Sequence, residues 1–130
     1  MILITGGAGF IGSNFVLQWL TTKGESVVNL DKLTYAGNPK SLIDIDQTYG
    51  PNRYSLSRID ICDTDAVTAL IEREQVDTIV HLAAESHVDR SILGPKEFIQ
   101  TNVVGTFTLL EAARSVWTRS GSRASCGRPC

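Results

Sequence analysis

Three glycines near the start of the chain have a spacing that could bind phosphate. Gly6, Gly9 and Gly12 form a G-x-x-G-x-x-G pattern between a short apolar run and a segment of helical periodicity. Gly6 permits a tight turn, Gly9 lets the backbone approach a pyrophosphate, and Gly12 lets the helix pack onto the sheet. The free N–H groups at the start of the helix would then face the anion. The alternative is a glycine-rich turn without a ligand, which the flanking elements and a downstream acid disfavour.

That acid is Asp31, which ends the second predicted strand. Its carboxylate can accept hydrogen bonds from ribose hydroxyls and would repel a 2′-phosphate, so it favours NAD over NADP as the cofactor. Lys32 follows directly and weakens this preference, because a cation there could accommodate a phosphate. The alternative is that Asp31 is simply an acid that ends a strand.

The predicted elements place these residues at one edge of a sheet. Strands are predicted over 2–5, 26–31, 54–59 and 77–82, and helices over 10–23, from Asp63 toward Glu74, and from Pro95 onward. The segment 32–52 is predicted as a loop with one helical turn near 41–45. This order predicts an α/β fold with a doubly wound parallel sheet, a partial Rossmann fold with strand order 3-2-1-4. The later strands and a substrate domain are expected to be missing.

The last predicted helix has an apolar stripe. It places one set of side chains on a single face: Ile99, Val103, Thr106, Leu110 and Ala113.

Composition excludes several functional classes. The chain has 130 residues, of which 42% are hydrophobic and 20% charged, and it carries a net charge of −2, as expected for one globular domain that does not bind nucleic acid. No apolar run approaches the ~18 residues that cross a bilayer, and the start lacks signal-peptide features. We therefore expect a cytoplasmic protein without a membrane partner. The three cysteines, Cys62, Cys126 and Cys130, are expected to be free thiols.

Longer motifs carry a resemblance to a known family. The run Thr-Gly-Gly-Ala-Gly-Phe-Ile-Gly-Ser over 5–13 resembles extended short-chain dehydrogenases/reductases that act on nucleotide sugars, the NAD-dependent epimerase/dehydratase family. Asp-Lys-Leu-Thr-Tyr-Ala-Gly-Asn over 31–38 and His-Leu-Ala-Ala-Glu-Ser-His-Val-Asp-Arg-Ser over 81–91 are similar to dTDP-glucose 4,6-dehydratases. UDP-glucose epimerases and UDP-glucuronate decarboxylases share the first motif but usually differ in the other two. The resemblance covers 1–117.

The resemblance implies a lyase that uses NAD to convert dTDP-glucose to dTDP-4-keto-6-deoxyglucose, a step in deoxysugar synthesis. It also implies a cofactor site: Phe10 and Ile11 at the pyrophosphate; Asp31, Lys32, Leu33 and Thr34 around the ribose; Asp60 and Ile61 at the adenine; Leu82, Ala83, Ala84, Glu85 and Ser86 under the nicotinamide; and Thr101 closing the pocket. Ser86 and His87 would approach the nucleotide-sugar substrate.

Several of these residues also have purely structural interpretations. Asp60 could belong, with Asp63, to a solvated helix-start cluster. His81 is expected to be packed and hydrogen-bonded. His87 could reach a substrate phosphate or form a salt bridge. No metal site is expected, because the spacing of His81, Glu85 and His87 is not that of a zinc helix. Trp19 is expected in the core.

The catalytic groups of the family do not occur in this sequence. The resemblance implies a Tyr-x-x-x-Lys pair and an Asp–Glu pair downstream of the last helix, so no catalytic residue is assigned. We expect residues 1–117 to form an incomplete NAD-binding domain and 118–130 to be a disordered, non-native tail, which the other two reading frames of the coding DNA would test. Family members are usually homodimers. The alternatives are a UDP-sugar epimerase or decarboxylase, and a non-catalytic NAD-binding module.

Overall fold

A computed structural model describes residues 1–34, 39–86, 88–119 and 121, without the side chains of 39, 41, 88 and 90. The elements, in chain order, are β1 (Ile2–Thr5), α1 (Phe10–Thr22), β2 (Val27–Leu30), α2 (Pro39–Tyr49), β3 (Tyr54–Ser57), α3 (Thr64–Arg73), β4 (Thr78–His81), α4 (Val88–Leu93), α5 (Pro95–Ile99), a π-helix (Gln100–Gly105) and α6 (Thr106–Arg119). No helix in these described ranges is long and apolar enough to span a bilayer.

The four strands form one parallel sheet. Their order is β3-β2-β1-β4, which confirms the predicted order 3-2-1-4. Leu3 of β1 lies opposite Val28 of β2 on one side and Ile79 of β4 on the other. All strands therefore end at the same edge, which is where parallel α/β sheets bind ligands.

Helices cover both faces of the sheet, so the inner strands are apolar on both sides. Leu3 points into a cluster formed mainly with α3 and α6, whereas Ile2 and Ile4 point into a second cluster with α1 and α2. This alternation is the two-residue period of a strand. Every residue of β1 and β2 is buried.

The segment after β2 contains a longer helix than the sequence predicts. α2 runs over Pro39–Tyr49, where one helical turn in a loop was expected. Leu42 and Ile45 lie three residues apart and are both buried against the sheet. The dense glycine and proline residues on either side obscured this periodicity, although proline is well suited to the first turn of a helix. Asp63, from which this helix was predicted to run, is the N-cap of α3, because its Oδ1 accepts a hydrogen bond from Ala66 N at 3.0 Å.

The predicted stripe on the last helix is wrong. The chain from Pro95 forms α5, the π-helix and α6 in succession. A π-helix bonds each residue to the fifth one along, so it takes up extra residues and rotates the buried face. Val103 and Leu110 are 57% and 65% exposed while Ala113 is buried, so the five residues do not share one face. α6 ends at Arg119 and so includes the first two residues of the predicted tail; 120 and 122–130 lie outside the described residues.

Candidate functional site

A cleft of about 400 Å³ lies at the carboxyl edge of the sheet, within the usual size range of ligand pockets. Its lining includes many residues that the sequence analysis placed in a cofactor site: Gly6, Gly9, Asp31, Lys32, Thr34, Asp60, Ile61, Leu82, Ala83, Ala84, Glu85 and Thr101. These residues come from the ends of all four strands and from the π-helix. The fold therefore gathers distant segments of the sequence around one cavity.

The glycine-rich turn between β1 and α1 forms one wall of the cleft. Gly6 has a φ of +73°, and a Cβ there would lie 2.6 Å from Ala83 N. A Cβ on Gly12 would lie 2.0 Å from Gly6 O. Both positions therefore require the absence of a side chain, the first for the turn itself and the second for the approach of α1 to it.

Some N–H groups of this turn donate to backbone carbonyls within it, and others have no acceptor inside α1. Gly9 N donates to Gly6 O, and Ser13 N donates to Gly9 O. Helix geometry leaves the N–H groups of Phe10, Ile11 and Gly12 without an acceptor inside α1. The side chains of Phe10 and Ile11 are 84% and 71% exposed and are not among the cleft-lining residues. Their backbone, rather than their side chains, is thus suited to an anion.

The Asp31 carboxylate is held by one backbone N–H of the glycine-rich turn and by one of its own loop. Its Oδ2 accepts a hydrogen bond from Ala8 N and its Oδ1 accepts one from Leu33 N, both at 2.8 Å. These two bonds fix the carboxylate beside the turn. Each carboxylate oxygen can accept more than one hydrogen bond, so both retain capacity for a ligand hydroxyl.

Asn29 is a buried polar residue that the sequence analysis did not single out. Its Oδ1 accepts from Gly7 N at 3.1 Å and its Nδ2 donates to Tyr54 Oη at 3.0 Å. The side chain is wholly buried beneath the glycine-rich turn. A polar residue inside an otherwise apolar strand indicates such a role, because buried polar groups need partners.

Lys32 and Asp60 form an ion pair at the mouth of the cleft. Lys32 Nζ lies 2.6 Å from Asp60 Oδ2, and Asp60 Oδ1 accepts from Cys62 N at 2.9 Å. Burial alone would raise the pKa of Asp60, but the hydrogen bonds from Lys32 and Cys62 outweigh it and hold the pKa below its usual value. The bond to Asp60 raises the pKa of Lys32. Both groups are therefore charged at neutral pH.

Other predicted residues lie at the edge of the cleft or beyond it. Leu33 has a φ of 55° and packs against the core cluster on the α1–α2 side. Ser86 is exposed and outside the cleft lining. The substrate-contact prediction for His87 lies outside the described residues. Among the side chains that the structure describes, no group of three His, Cys, Asp or Glu residues could hold a metal ion.

His81 is packed and hydrogen-bonded, as predicted. Thr5 Oγ1 accepts from Leu82 N and Ala83 N, which leaves its hydroxyl free to donate to His81 Nδ1 at 2.6 Å. His81 Nε2 then carries the proton and donates to Thr106 Oγ1 at 3.0 Å. This arrangement needs a neutral imidazole, and burial lowers the pKa of His81 in agreement with it. The network ties the ends of β1 and β4 to α6.

Acidification from pH 7 to pH 5 is expected to lower the free energy of unfolding. In the unfolded chain His81 takes up a proton near pH 6.5, whereas in the folded chain its lowered pKa keeps it neutral to lower pH. The contribution of His81 to the free energy of unfolding is fully present above the pKa of the unfolded chain. It is lost as the pH falls through the unfolded pKa and then through the folded pKa. Urea unfolding at several pH values measures this. The His81→Gln variant serves as the control and should show a flatter profile; an equal slope would exclude His81 as the cause.

Five residues that line the cleft were not predicted: Leu30, Ile59, Cys62, Glu97 and Gln100. Leu30 and Ile59 directly precede Asp31 and Asp60. Their position next to predicted contacts is the signal that could have identified them. Glu97 and Gln100 reach the cleft through α5 and the π-helix, which the sequence analysis merged into one continuous helix. Cys62 Sγ donates to Gln100 O at 3.3 Å, joining the two sides of the opening.

Comparison with known proteins agrees with this geometry. A family model described as GDP-mannose 4,6 dehydratase matches residues 3–125. The chain is 56% identical over 120 residues to dTDP-glucose 4,6-dehydratase of Salmonella typhimurium (92% of this chain, 32% of the relative). It is 55% identical over 117 residues to dTDP-glucose 4,6-dehydratase 1 of Escherichia coli K12 (90% and 32%). The chain thus spans about a third of the length of these curated relatives.

Solved structures show the same likeness. A dTDP-glucose 4,6-dehydratase from Streptomyces venezuelae, with NAD and TYD bound, matches with a TM-score of 0.79 and 46% identity (88% of this chain, 35% of that one). A UDP-glucose 4-epimerase from Thermus thermophilus in complex with NAD matches with a TM-score of 0.74 and 32% identity (88% and 33%). The resemblance inferred from the sequence motifs is confirmed. The chain belongs to the nucleotide-sugar dehydratase family that the matching model describes, and it is similar to the dTDP-glucose 4,6-dehydratases.

Proposed function

We propose that this chain is the NAD-binding part of an enzyme that dehydrates dTDP-glucose to dTDP-4-keto-6-deoxyglucose. The observation that carries the proposal is the position of Asp31, whose carboxylate is held between the glycine-rich turn and the cleft. The relatives named above are dTDP-glucose 4,6-dehydratases, and the Streptomyces venezuelae structure has NAD bound. The whole reaction is proposed for the complete enzyme, of which this chain spans about a third.

The donor and acceptor groups of the cleft fit an adenine dinucleotide. The N–H groups of Phe10 and Ile11 would bind the pyrophosphate at the start of α1. Asp31 would accept from the ribose hydroxyls, and Asp60 would accept from the adenine amino group while Ile61 N donates to the ring. Lys32, Leu33 and Thr34 would lie around the ribose.

The far end of the cleft would take the nicotinamide and the sugar. Residues 82–86 would lie under the nicotinamide, which when bound supplies a hydride acceptor for the sugar, and Thr101 would close the pocket. Asn102 holds this segment, because its side chain accepts from Glu85 N at 2.8 Å and donates to Glu85 O at 3.0 Å. Ser86 and His87 would approach the nucleotide sugar. No residue of this chain is proposed as an acid, base or nucleophile.

Two alternative functions use the same cleft. A UDP-sugar epimerase or decarboxylase would share the cofactor contacts, and a UDP-glucose 4-epimerase is among the structural neighbours. Its 32% identity is below the 46% of the dehydratase structure, which favours the dehydratase. A non-catalytic NAD-binding module would also keep the cleft. The homodimer stays a prediction, because it concerns the complete enzyme.

Isothermal titration of the purified chain with NAD tests the cofactor site. We expect weak but measurable binding, which Asp31→Ala should reduce at least tenfold, because it removes a charged acceptor for the ribose and the bonds to Ala8 and Leu33. Asp44→Ala removes an exposed carboxylate of α2, away from the cleft, and should leave the affinity unchanged.

A dehydratase assay with dTDP-glucose accompanies the titration. The chain alone should form no 4-keto product, because it lacks the catalytic pairs that the resemblance implies. Absence of NAD binding would overturn the proposed cofactor site. Product formed by this chain alone would overturn the proposal that the chain binds the cofactor but lacks the catalytic groups.

A further inference from the structure

The charges around the cleft are unbalanced. Within the described residues that line it there are four carboxylates, those of Asp31, Asp60, Glu85 and Glu97, and one cation, Lys32. A ligand that brings an additional phosphate into this lining meets a net negative field. Its binding would therefore depend on whether the ammonium group of Lys32 is available to it.

Lys32 is engaged by Asp60, which follows the neighbouring strand β3. Its Nζ lies 2.6 Å from Asp60 Oδ2. The Asp60 carboxylate is itself fixed, because its other oxygen accepts from Cys62 N. The Lys32 side chain is 63% exposed and that of Asp60 is 37% exposed. An ion pair this exposed adds little to stability, so removing it would leave the fold intact while changing where the ammonium group lies.

We propose that Asp60 is a specificity-determining residue that excludes NADP by holding the ammonium group of Lys32 away from the place where a 2′-phosphate would lie. This inference rests on the proposed NAD site and deepens it. Asp31 would accept a hydrogen bond from the ribose 2′-hydroxyl. A 2′-phosphate would therefore lie beside Asp31, the residue directly before Lys32. With Lys32 held by Asp60, the phosphate would meet the Asp31 carboxylate without a compensating cation.

Neutralising Asp60 should release this restraint. Asp60→Asn retains an oxygen that can accept from Cys62 N and from the adenine amino group, but it loses the charge that holds Lys32. The flexible lysine side chain can then turn to a phosphate, for which it is a suitable partner. We expect the ratio of NADP affinity to NAD affinity to rise roughly fivefold to tenfold, because any weakening of the shared adenine contact lowers both affinities and cancels in the ratio.

The experiment is a calorimetric titration of the chain with NAD and with NADP. The variants are Asp60→Asn, Lys32→Met and the double variant, with Asp77→Asn as a control that removes one negative charge at the opposite end of the sheet, where Asp77 pairs with the amino group of Met1. The gain in NADP affinity should appear in Asp60→Asn alone and be absent from the double variant. Thermal unfolding of each variant checks that the fold is retained.

The possible outcomes are distinguishable. If the parent chain binds NAD but Asp60→Asn leaves the ratio of NAD to NADP affinity unchanged, this inference fails and the cofactor site stands. A gain in NADP affinity that persists in the double variant, or that also occurs in Asp77→Asn, would contradict the inference. It would show that the loss of any negative charge raises NADP affinity, without a role for Lys32. A loss of NADP affinity in Lys32→Met alone would show that Lys32 already reaches the phosphate. Failure of the parent to bind NAD overturns both proposals.

Discussion

Replacing Gly12 with alanine is expected to abolish NAD binding and to destabilise the fold by about 3 kcal/mol or more. The new Cβ would lie 2.0 Å from Gly6 O and 2.7 Å from Gly7 Cα. Both are backbone atoms, so no side-chain rotation can relieve the overlap. α1 would have to move away from β1 and take with it the N–H groups of Phe10 and Ile11. Urea unfolding and NAD titration measure the two effects.

Gly9→Ala is the matched control for this prediction. A Cβ at Gly9 would meet only Gly6 O, at 3.4 Å, which is ordinary van der Waals contact. Gly9 has a φ of −73° and a ψ of 172°, an extended conformation that any residue adopts. The variant should fold with nearly unchanged stability but bind NAD more weakly, because Gly9 lines the cleft. Equal stability of the Gly12 and Gly9 variants would contradict the packing described for α1.

Replacing Asn29 with leucine is expected to lower the free energy of unfolding by about 2 to 4 kcal/mol. Leucine is similar in size but cannot accept from Gly7 N or donate to Tyr54 Oη. Both groups would lose their partner in the interior, where water cannot replace it. NAD affinity should fall as well, because the bond to Gly7 N holds the glycine-rich turn in place. Chemical unfolding, with an unchanged m-value, measures the first effect.

Tyr54→Phe provides the second arm of this experiment. In the double variant Asn29→Leu/Tyr54→Phe the unpaired hydroxyl is gone, so part of the lost stability should return. Tyr54 is buried against the α1–α2 side of the sheet, and the phenylalanine ring fills nearly the same volume. If the two single effects simply add in the double variant, the hydrogen bond between these side chains does not carry the stability assigned to it.

Local patterns in the sequence predicted most of the architecture. Each buried strand ends in a residue with its own chemistry, so the glycine-rich turn and Asp31 could be assigned to one edge once the strands were known to be parallel. The handedness of the crossovers then fixed the strand order. The family motifs supplied the prediction that Asp60 and Ile61 contact the adenine, which local periodicity does not indicate.

The features that the sequence did not predict depend on geometry between elements. The extra residues of the π-helix rotate α6 relative to α5, and no propensity rule marks where such a turn occurs. The pairing of Lys32 with Asp60 arises because β2 and β3 are neighbours in the sheet, which brings the residues after both strands to one edge. Asn29 was overlooked because it lies within an apolar strand. Its hydrogen bonds to Gly7 N and Tyr54 Oη depend on how the glycine-rich turn and β3 pack around it.

Whether NAD binds at the glycine-rich turn is best measured residue by residue, by following the backbone amide resonances of the isotope-labelled chain during the NAD titration. We expect NAD to shift the amide resonances at the start of α1, from Gly9 to Gly12, together with those of 31–34 and 60–62. The amide resonances of Leu42, Ile43 and Leu56, which line a second groove, should not shift. Shifts confined to that groove, or none at the glycine-rich turn, would contradict the assignment of the cleft as a dinucleotide site.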